Sequence, residues 1–289
     1  MIKQVCPVAR MEKLLVATDG SKFSKSAIRE AINLAKTCSS ELIAVSVVKT
    51  NVEFEDLVPQ VVEKAEREVR EHLESIKNKA LKEGVDCEIV IHRSEESFRD
   101  IVNDAAKNKV DMIIIGTHGR TGLKRLMMGS VTAKVIGHAP CKVMVVPLNA
   151  KIECKNILIA TDGSRYSDVA AFEAIGIAKR CGGSLIVISV AFSDKEIALA
   201  EDDEEIILAK DNVKKIMELA EKEGIKTEGL TVKGEPYEAI IKTAKQKQVD
   251  LIVVGSHGRT GIERLLMGSV TERVIGHSES AVLVVRKPH

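Results

Sequence analysis

Asp111–His138 reads DMIIIGTHGRTGLKRLMMGSVTAKVIGH, and Asp250–His277 reads DLIVVGSHGRTGIERLLMGSVTERVIGH. The second segment follows the first by 139 positions, and 19 of the 28 aligned residues are identical. Both segments carry the same order of glycines around a central His-Gly-Arg-Thr-Gly sequence. The chain is therefore predicted to be a tandem duplication of one domain.

The repeat extends beyond these segments and sets the domain limits. The sequence ATDGS occurs at 17–21 and again at 160–164, which aligns Asp19 with Asp162 at an offset of 143. The offset falls to 139 at the glycine-rich segments, so the second copy is four residues shorter in between. Surface connections absorb such changes at small cost. We predict an N-terminal extension over 1–11, a first domain over 12–148 and a second domain over 153–289.

Composition argues against nucleic-acid binding. The chain has 289 residues, of which 45% are hydrophobic, which suits two domains with full cores. Its 43 basic and 42 acidic residues leave a formal net charge of +1, so no positive excess attracts nucleic acid. Two tyrosines, five phenylalanines and no tryptophan are available for base stacking. We expect no nucleic-acid partner.

The sequence also indicates a protein without a membrane segment or a metal centre. No apolar run reaches the roughly 18 to 20 residues of a membrane-spanning helix, and the first ten residues lack the apolar stretch of a signal peptide. The six cysteines form no C-x-x-C pair and show no zinc-like spacing. We expect a cytoplasmic protein with no membrane partner and no dedicated metal ligands.

Each copy alternates short apolar runs with helical patterns. The expected strands are 14–18, 42–48, 87–92, 112–116 and 142–146, then 158–161, 185–191, 228–232, 251–255 and 282–285. The expected helices are 24–38, 56–83, 97–108 and 130–138, then 167–181, 201–223, 236–247 and 269–277. This alternation predicts an α/β fold: two tandem doubly wound, Rossmann-like parallel sheets of five strands, in the order 3-2-1-4-5, with helices on both faces.

The predicted strand order brings two distinctive loops together. In doubly wound sheets, ligands bind beyond the carboxyl ends of the strands where the strand order reverses, here between strands 1 and 4. Strand 1 ends at Asp19 in the first copy, and strand 4 ends at Gly116. The two loops are therefore predicted to form one site in each copy.

The glycine loop after strand 4 has the spacing of a phosphate site. Its pattern is Gly116-x-x-Gly119, nine residues, then Gly129-Ser130, and the second copy repeats it with Gly255, Gly258, Gly268 and Ser269. Such glycines let main-chain N–H groups approach a ligand, and the start of the next helix favours an anion. Alternatively, the glycines only shape turns and the serine only caps a helix. The loop's length and its duplication favour phosphate binding.

Polar side chains in the same loops have two interpretations each. Asp19 and Asp162 could accept hydrogen bonds from ribose or adenine, or could only brace the turn before the first helix. Arg120 and Arg259 could contact phosphate or pair with a nearby acid.

His118 and His257 are interpreted as residues that brace the loop, because no carboxylate stands at a spacing that marks either one as an oriented base. We predict no catalytic residue.

These motifs resemble those of the universal stress protein family, in its ATP-binding branch. The resemblance covers both copies and rests on ATDGS and on the glycine spacing within GTHGRTG (116–122) and GSHGRTG (255–261). It implies that the strand-1 aspartate contacts adenosine, that the main chain of a strand-2 valine contacts adenine, and that the glycine loop holds ribose and phosphates. The matching residues are Asp19, Val47, Gly116, Gly119, Gly129 and Ser130, then Asp162, Val190, Gly255, Gly258, Gly268 and Ser269.

The resemblance implies a stress-response sensor or regulator that binds ATP or AMP at two sites with little or no turnover. A Mg²⁺ or Mn²⁺ ion would then be held through the phosphates. It also implies that the fifth strands of the two domains pair in an intramolecular pseudo-dimer, and that whole chains form homodimers. Two alternatives stay open: a slow ATP hydrolase or phosphotransfer enzyme, although no P-loop lysine motif is present, and a scaffold stabilised by nucleotide.

One departure from the family pattern distinguishes the two copies. The family commonly shows G-x-P before the third helix of each domain, and the second copy has Gly234-Glu235-Pro236 there. The first copy has Glu95-Glu96-Ser97 instead. Two additional carboxylates could repel phosphates, so we expect the second site to bind nucleotide more tightly.

Overall fold

The computed structural model describes Cys6 and residues 11–119, 128–192, 203–259 and 267–286. The residues described between 11 and 149 form one compact unit, and those between 150 and 286 form a second. Each unit corresponds to one copy of the repeat.

The first unit is a parallel sheet with helices between its strands. Its described strands are β1 (Lys13–Ala17), β2 (Glu41–Lys49), β3 (Cys87–Ser94), β4 (Met112–Gly116) and β5 (Lys142–Val146). Its described helices are α1 (Lys25–Cys38), α2 (Val52–Leu57), α3 (Pro59–Lys82), α4 (Ser97–Lys107) and α5 (Ser130–His138). A 3-10 turn, Lys22–Ser24, leads into α1.

The second unit repeats this arrangement. Its described strands are β6 (Asn156–Ala160), β7 (Ser184–Ala191), β8 (Thr227–Lys233), β9 (Leu251–Gly255) and β10 (Ala281–Val285). Its described helices are α6 (Arg165–Cys181), α7 (Glu204–Lys222), α8 (Pro236–Gln246) and α9 (Ser269–His277). The predicted helix over 201–223 begins in the structure at Glu204, and residues 201 and 202 lie outside the described part.

Both units have the strand order expected from the sequence. The order is β3-β2-β1-β4-β5 in the first unit and β8-β7-β6-β9-β10 in the second. The strand pairs described within each unit are parallel, with Leu14 beside both Leu42 and Met112 in the first. The second unit shows the same parallel pairing. The prediction of doubly wound α/β sheets is confirmed.

The sheets form because their central strands are apolar on both faces. Every residue of β4 and of β9 is buried, as expected for a strand covered by helices on both sides. Right-handed crossovers place α1 and α3 on one face of the first sheet and α4 and α5 on the other. This leaves the carboxyl ends of β1 and β4 open at the edge where the strand order reverses.

One predicted helix is divided in the structure. The sequence pattern predicts a single helix over 56–83, whereas α2 ends at Leu57 and α3 begins at Pro59. Val58 between them has φ −139° and ψ 59°. A residue before proline is pushed out of the helical region because the proline ring collides with its main chain, and proline is favoured at the first position of a new helix.

No described helix combines the length and the apolar character that are needed to cross a membrane.

Candidate functional site

A cavity of about 410 Å³ opens at the carboxyl ends of β1, β2 and β4 in the first unit. Six of the seven residues predicted for this site line it: Asp19, Val47, Gly116, Gly119, Gly129 and Ser130. The seventh, Arg120, lies outside the described residues. The cavity falls within the size range of small-molecule sites, about 300 to 1,000 Å³. The six described residues predicted for the first-domain site thus share one concave surface.

Asp19 braces the turn after β1. Its Oδ1 atom accepts the main-chain N–H of Ser21 at 2.9 Å, which is the aspartate turn expected under the structural interpretation. The preceding Thr18 hydroxyl donates to Ser24 Oγ at 2.9 Å and lies 3.1 Å from Nε2 of His72. These contacts attach the end of β1 to α1 and α3, and they fix the position from which the Asp19 carboxylate faces the cavity.

Gly116 and Gly119 have different structural tasks. A Cβ atom on Gly116 would lie 2.8 Å from the carbonyl oxygen of Phe23, so only glycine lets the turn before α1 pack onto the end of β4. A Cβ on Gly119 would lie 2.9 Å from Oδ2 of Asp19. Gly116 therefore allows close packing of main chain, whereas Gly119 allows the loop to approach the Asp19 carboxylate.

The loop closes onto the start of α5. The N–H of Gly129 donates to the carbonyl of Thr117 at 2.9 Å, which brings both ends of the loop together. Gly129 is the residue that caps α5, and Ser130 is the first helical residue, so the cap predicted at Ser130 stands one position earlier. No side chain caps this helix end through a hydrogen bond in the described structure. The first-turn N–H groups of α5 therefore face the cavity edge, where the helix dipole favours an anion.

Two buried polar atoms in the cavity wall lack partners within the described part of the chain. They are the hydroxyl of Ser46 on β2 and Nε2 of His118 in the loop. The His118 ring also packs against Phe23, with ring centroids 5.7 Å apart. Buried polar atoms are usually hydrogen-bonded, so these two mark places where a ligand or water could contribute a partner.

The second unit repeats the loop geometry. Asp162 Oδ1 accepts the N–H of Ser164 at 3.0 Å, and Asp162 Oδ2 accepts the N–H of Arg259 at 2.8 Å. A Cβ on Gly258 would lie 2.7 Å from the same Oδ2 atom. Gly268 N donates to the carbonyl of Ser256 at 2.9 Å. The strand-1 aspartate is thus in contact with the glycine loop in both units.

The remaining predicted residues of the second unit take equivalent places. Gly255 ends β9, and a Cβ there would lie 2.7 Å from the main chain of Tyr166. Gly268 caps α9 and Ser269 begins it. Val190 lies next to the end of β7, the neighbour of β6 in the sheet. The His257 ring packs against Tyr166 at a centroid distance of 5.1 Å, which agrees with a bracing role for the loop histidine.

Arg259 is engaged by an acid in the structure. Its Nη1 and Nη2 atoms donate to the two carboxylate oxygens of Glu205 at 3.2 and 2.8 Å. This bidentate contact, the largest of its causes, raises the pKa of the Arg259 guanidinium. Of the two interpretations offered by the sequence, the ion pair is the one that this structure contains. Glu205 stands at the start of α7 and is the last residue of the acidic run EDDEE at 201–205.

The carboxylates that distinguish the first copy do not line its cavity. Glu96 pairs with Arg99 at 2.6 Å, and Ser97 lines the cavity, whereas Glu95 and Glu96 do not. The expected repulsion of phosphates by these two residues therefore has no support in the geometry of the site.

The described residues contain no group of three or more His, Cys, Asp or Glu side chains that could hold a metal ion. The charged residues on the cavity wall are Asp19, Lys49 and Glu68. A divalent ion at this site would therefore depend on ligand phosphates for most of its oxygen contacts.

Sequence reasoning missed several residues of the site. Ser46, Lys49 and Ala65 line the first cavity, and Glu205 binds Arg259 in the second unit. The position of Ser46 inside the apolar run of β2 could have indicated that it is buried. No local pattern in the sequence shows which residues of α3 line the cavity. No signal in the sequence links Glu205 with Arg259, which lies 54 residues further along the chain.

Comparison with known proteins places both units in one family. The profile of the Universal stress protein family matches residues 11–147 and 153–286. Universal stress protein MJ0531 of Methanocaldococcus jannaschii is 42% identical over 141 residues, which cover 46% of this chain and 83% of that protein. A universal stress protein of Mycolicibacterium smegmatis is 28% identical over 291 residues, covering 94% of this chain and 96% of its own length.

A solved structure has the same overall fold. The crystal structure of a universal stress protein from Archaeoglobus fulgidus DSM 4304 superposes with a TM-score of 0.74 at 21% identity, covering 96% of this chain and 99% of that one. Since the family profile matches twice and spans nearly the whole sequence, the chain belongs to the universal stress protein family of stress-response proteins, with two family domains in tandem.

Proposed function

We propose that the protein binds an adenine nucleotide, ATP or AMP, in each of its two domains and acts as a sensor or regulator with little or no turnover. The observation that carries the proposal is the first-domain cavity, which gathers the strand-1 aspartate, the strand-2 valine and the glycine loop on one surface. Its volume of about 410 Å³ suits a nucleotide.

The chemistry of the cavity wall supports this ligand class. The Asp19 carboxylate can accept hydrogen bonds from a ribose, and the main chain at Val47 offers an edge for adenine. Phosphates would lie at Gly129 and Ser130, where the dipole of α5 is favourable. Mg²⁺ or Mn²⁺, when present, would be bound through those phosphates. In the second domain the corresponding residues are Asp162, Val190, Gly255, Gly258, Gly268 and Ser269.

The geometry favours binding over turnover. Phosphoryl transfer requires an oriented base or water and stabilisation of transferred charge. No carboxylate of the described chain hydrogen-bonds Nε2 of His118, and the ring packs on Phe23. We therefore assign His118 no catalytic role. A cytoplasmic location remains a prediction from the sequence, and pairing of the domains through their fifth strands and homodimers of whole chains remain predictions from the family resemblance.

Native mass spectrometry of the purified chain tests the proposal directly. The bound small molecule is then released by denaturation and identified by chromatography. Adenine nucleotide carried by the chain would support the proposal. A protein that is empty, and that gains no thermal stability with millimolar ATP, ADP, AMP or cyclic AMP, would overturn it, because a ligand that binds only the native state raises its stability.

Multiple-turnover phosphate release separates the sensor from the slow hydrolase. The assay compares wild-type protein with the double variant His118→Ala/His257→Ala. We expect negligible release from both proteins. Release by the wild type that disappears in the double variant would establish the enzyme instead.

A further inference from the structure

The two domains differ at a position near the start of the long helix beside each site. Glu83-Gly84 and Glu223-Gly224 follow the ends of α3 and α7, so these helices align at an offset of 140. The buried pairs Ile76 with Ile216 and Ala80 with Ala220 confirm this register. By the same count, Glu205 corresponds to Ala65.

Contacts with the first loop support the same register. His72 of α3 lies 3.1 Å from the Thr18 hydroxyl, at the end of β1. Its counterpart Asn212 of α7 lies beside Gly163, at the end of β6. The two helices therefore cross their sites in the same way, and the residues one turn or two before these contacts occupy equivalent places.

The residue at this position is uncharged in the first domain and negatively charged in the second. In the first domain Ala65 lines the cavity and carries no charge. In the second domain Glu205 holds both Nη atoms of Arg259, a residue of the glycine loop. An arginine whose fork is filled by a carboxylate has no free face for a bidentate contact with phosphate.

Two further wall positions differ between the domains. β2 and β7 align at an offset of 143, so Lys49 corresponds to Phe192. Lys49 lines the first cavity and adds a positive charge there. Glu68 on the same wall carries the opposite charge, and its counterpart is the neutral Leu208, so the differences at these two positions offset each other. The charge difference that remains between the two sites is the one between Ala65 and Glu205.

We propose that Glu205 makes the two nucleotide sites unequal: its ion pair with Arg259 weakens binding of phosphate-bearing ligands in the second domain, while the first domain is the stronger site. This inference rests on the proposed function and reverses the ranking expected from Glu95 and Glu96. A phosphate entering the second site must displace Glu205 from Arg259 or lie beside its negative charge. Either route costs free energy, and the cost grows with the charge of the ligand.

The expected size of the effect follows from the exposure of the pair. The side chains of Arg259 and Glu205 are 42% and 37% exposed, so solvent screens the ion pair and its rupture alone is inexpensive. Repulsion between the carboxylate and the phosphates adds to this cost. We expect the dissociation constant for ATP to be about tenfold higher in the second domain than in the first, which is a modest difference in binding free energy.

Calorimetry on full-length variants tests the inference. Asp19→Ala weakens nucleotide binding in the first domain, so the remaining binding measures the second domain. Asp162→Ala weakens the second domain and leaves the first to be measured. In the Asp19→Ala chain, Glu205→Gln and Glu205→Ala should raise ATP affinity about tenfold, AMP affinity less, and adenosine affinity not at all. Glu204→Ala removes an equal charge from the neighbouring exposed position and should leave all three unchanged.

Two further variants assign the effect to the ion pair. Ala65→Glu in the Asp162→Ala chain should lower ATP affinity of the first domain about tenfold. Adding Arg259→Ala to Glu205→Ala should abolish the gain, because the released guanidinium is the group that then binds phosphate. A gain that survives without Arg259, or one of equal size for adenosine, would overturn the assignment.

The outcomes distinguish this inference from the function on which it rests. Equal ATP affinities in the two single-site chains, together with a silent Glu205→Gln change, would overturn the inequality and leave nucleotide binding intact. Absence of binding to ATP, AMP and adenosine in every variant would remove the proposed function and this inference with it.

Discussion

The Oδ2 atom of Asp162 accepts the main-chain N–H of Arg259 at 2.8 Å, which joins the end of β6 to the glycine loop after β9. The same carboxylate also accepts the N–H of Ser164 through Oδ1. One side chain therefore organises both loops of the second site before any ligand arrives, and a ligand that uses this carboxylate meets a preformed surface.

Replacing Asp162 with alanine should impair both stability and binding. A hydrogen bond to a charged group contributes roughly 1.5 to 3 kcal/mol, so we expect Asp162→Ala to lower the free energy of unfolding by about that amount. Adenine-nucleotide affinity of the second domain should fall as well. Thermal unfolding and calorimetry measure the two effects, and Asp211→Ala, a change at an exposed position of α7, is the control. Unchanged affinity for ATP would exclude Asp162 from recognition.

Alanine at Gly116 should mainly destabilise the fold. The new Cβ would lie 2.8 Å from the carbonyl oxygen of Phe23, and main chain cannot yield easily. Overpacking of this kind typically costs about 1 to 3 kcal/mol. Chemical denaturation of Gly116→Ala should show this loss, and a variant as stable as wild type would mean that the turn before α1 can shift freely.

Alanine at Gly119 should mainly affect the ligand. Its Cβ would meet only Oδ2 of Asp19, the end of a side chain that can rotate away. We expect Gly119→Ala to unfold at nearly the wild-type temperature while nucleotide affinity in the first domain falls, because Asp19 is displaced. Wild-type affinity in this variant would show that the position of the Asp19 carboxylate does not matter for binding.

Two serines of the first site provide a matched comparison. Ser46 is 2% exposed, and its hydroxyl has no hydrogen-bond partner in the described part of the chain. A buried hydroxyl without a partner costs about 1 to 3 kcal/mol, so Ser46→Ala should raise the melting temperature of the ligand-free protein. Nucleotide affinity should fall if a ligand uses that hydroxyl. A lower melting temperature would indicate that Ser46 has a partner.

Ser24 should respond in the opposite way. Its hydroxyl accepts from Thr18 and donates to the carbonyl of Ser21, both at 2.9 Å. Ser24→Ala removes two hydrogen bonds in a buried position, and the melting temperature should therefore drop. Differential scanning calorimetry of the two variants measures both changes in melting temperature, an increase for Ser46→Ala and a decrease for Ser24→Ala.

Cys87 should lower the free energy of unfolding as the pH rises through the alkaline range. Burial raises the pKa of its thiol from 9.0 to about 11. Below pH 9 the thiol is protonated in both states, whereas between pH 9 and 11 the unfolded chain releases this proton first, so the free energy of unfolding declines as pH rises. Cys87→Ala should show a smaller decline than wild type over that range. Equal pH profiles would mean that the thiol ionises normally in the folded protein.

The sequence predicted the architecture well because its signals were repeated. Strand runs such as 112–116 and 251–255 matched β4 and β9 residue for residue, and the switch between strands 1 and 4 correctly located the cavity. The helix over 56–83 was divided because a proline effect at Val58 overrode its periodicity. The N-cap of α5, predicted at Ser130, is one position earlier, at Gly129.

The site was less predictable than the fold because its walls come from distant segments. The partner of Arg259 is 54 residues away, on helix α7, and no local pattern links the two. The expected effect of Glu95 and Glu96 came from comparison with the family's G-x-P pattern, whereas neither residue lines the cavity. Spatial neighbours across a sheet edge become visible only when the chain is folded.

The proposed inequality between the sites with Ala65 and Glu205 would affect how the whole chain responds to its surroundings. Two identical sites would saturate together and report a single threshold of ligand concentration. Sites of unequal strength would fill in succession, so the first domain would be occupied while nucleotide is scarce and the second would continue to fill as the supply recovers. The second copy would then widen the range over which one polypeptide reads the energy status of the cell.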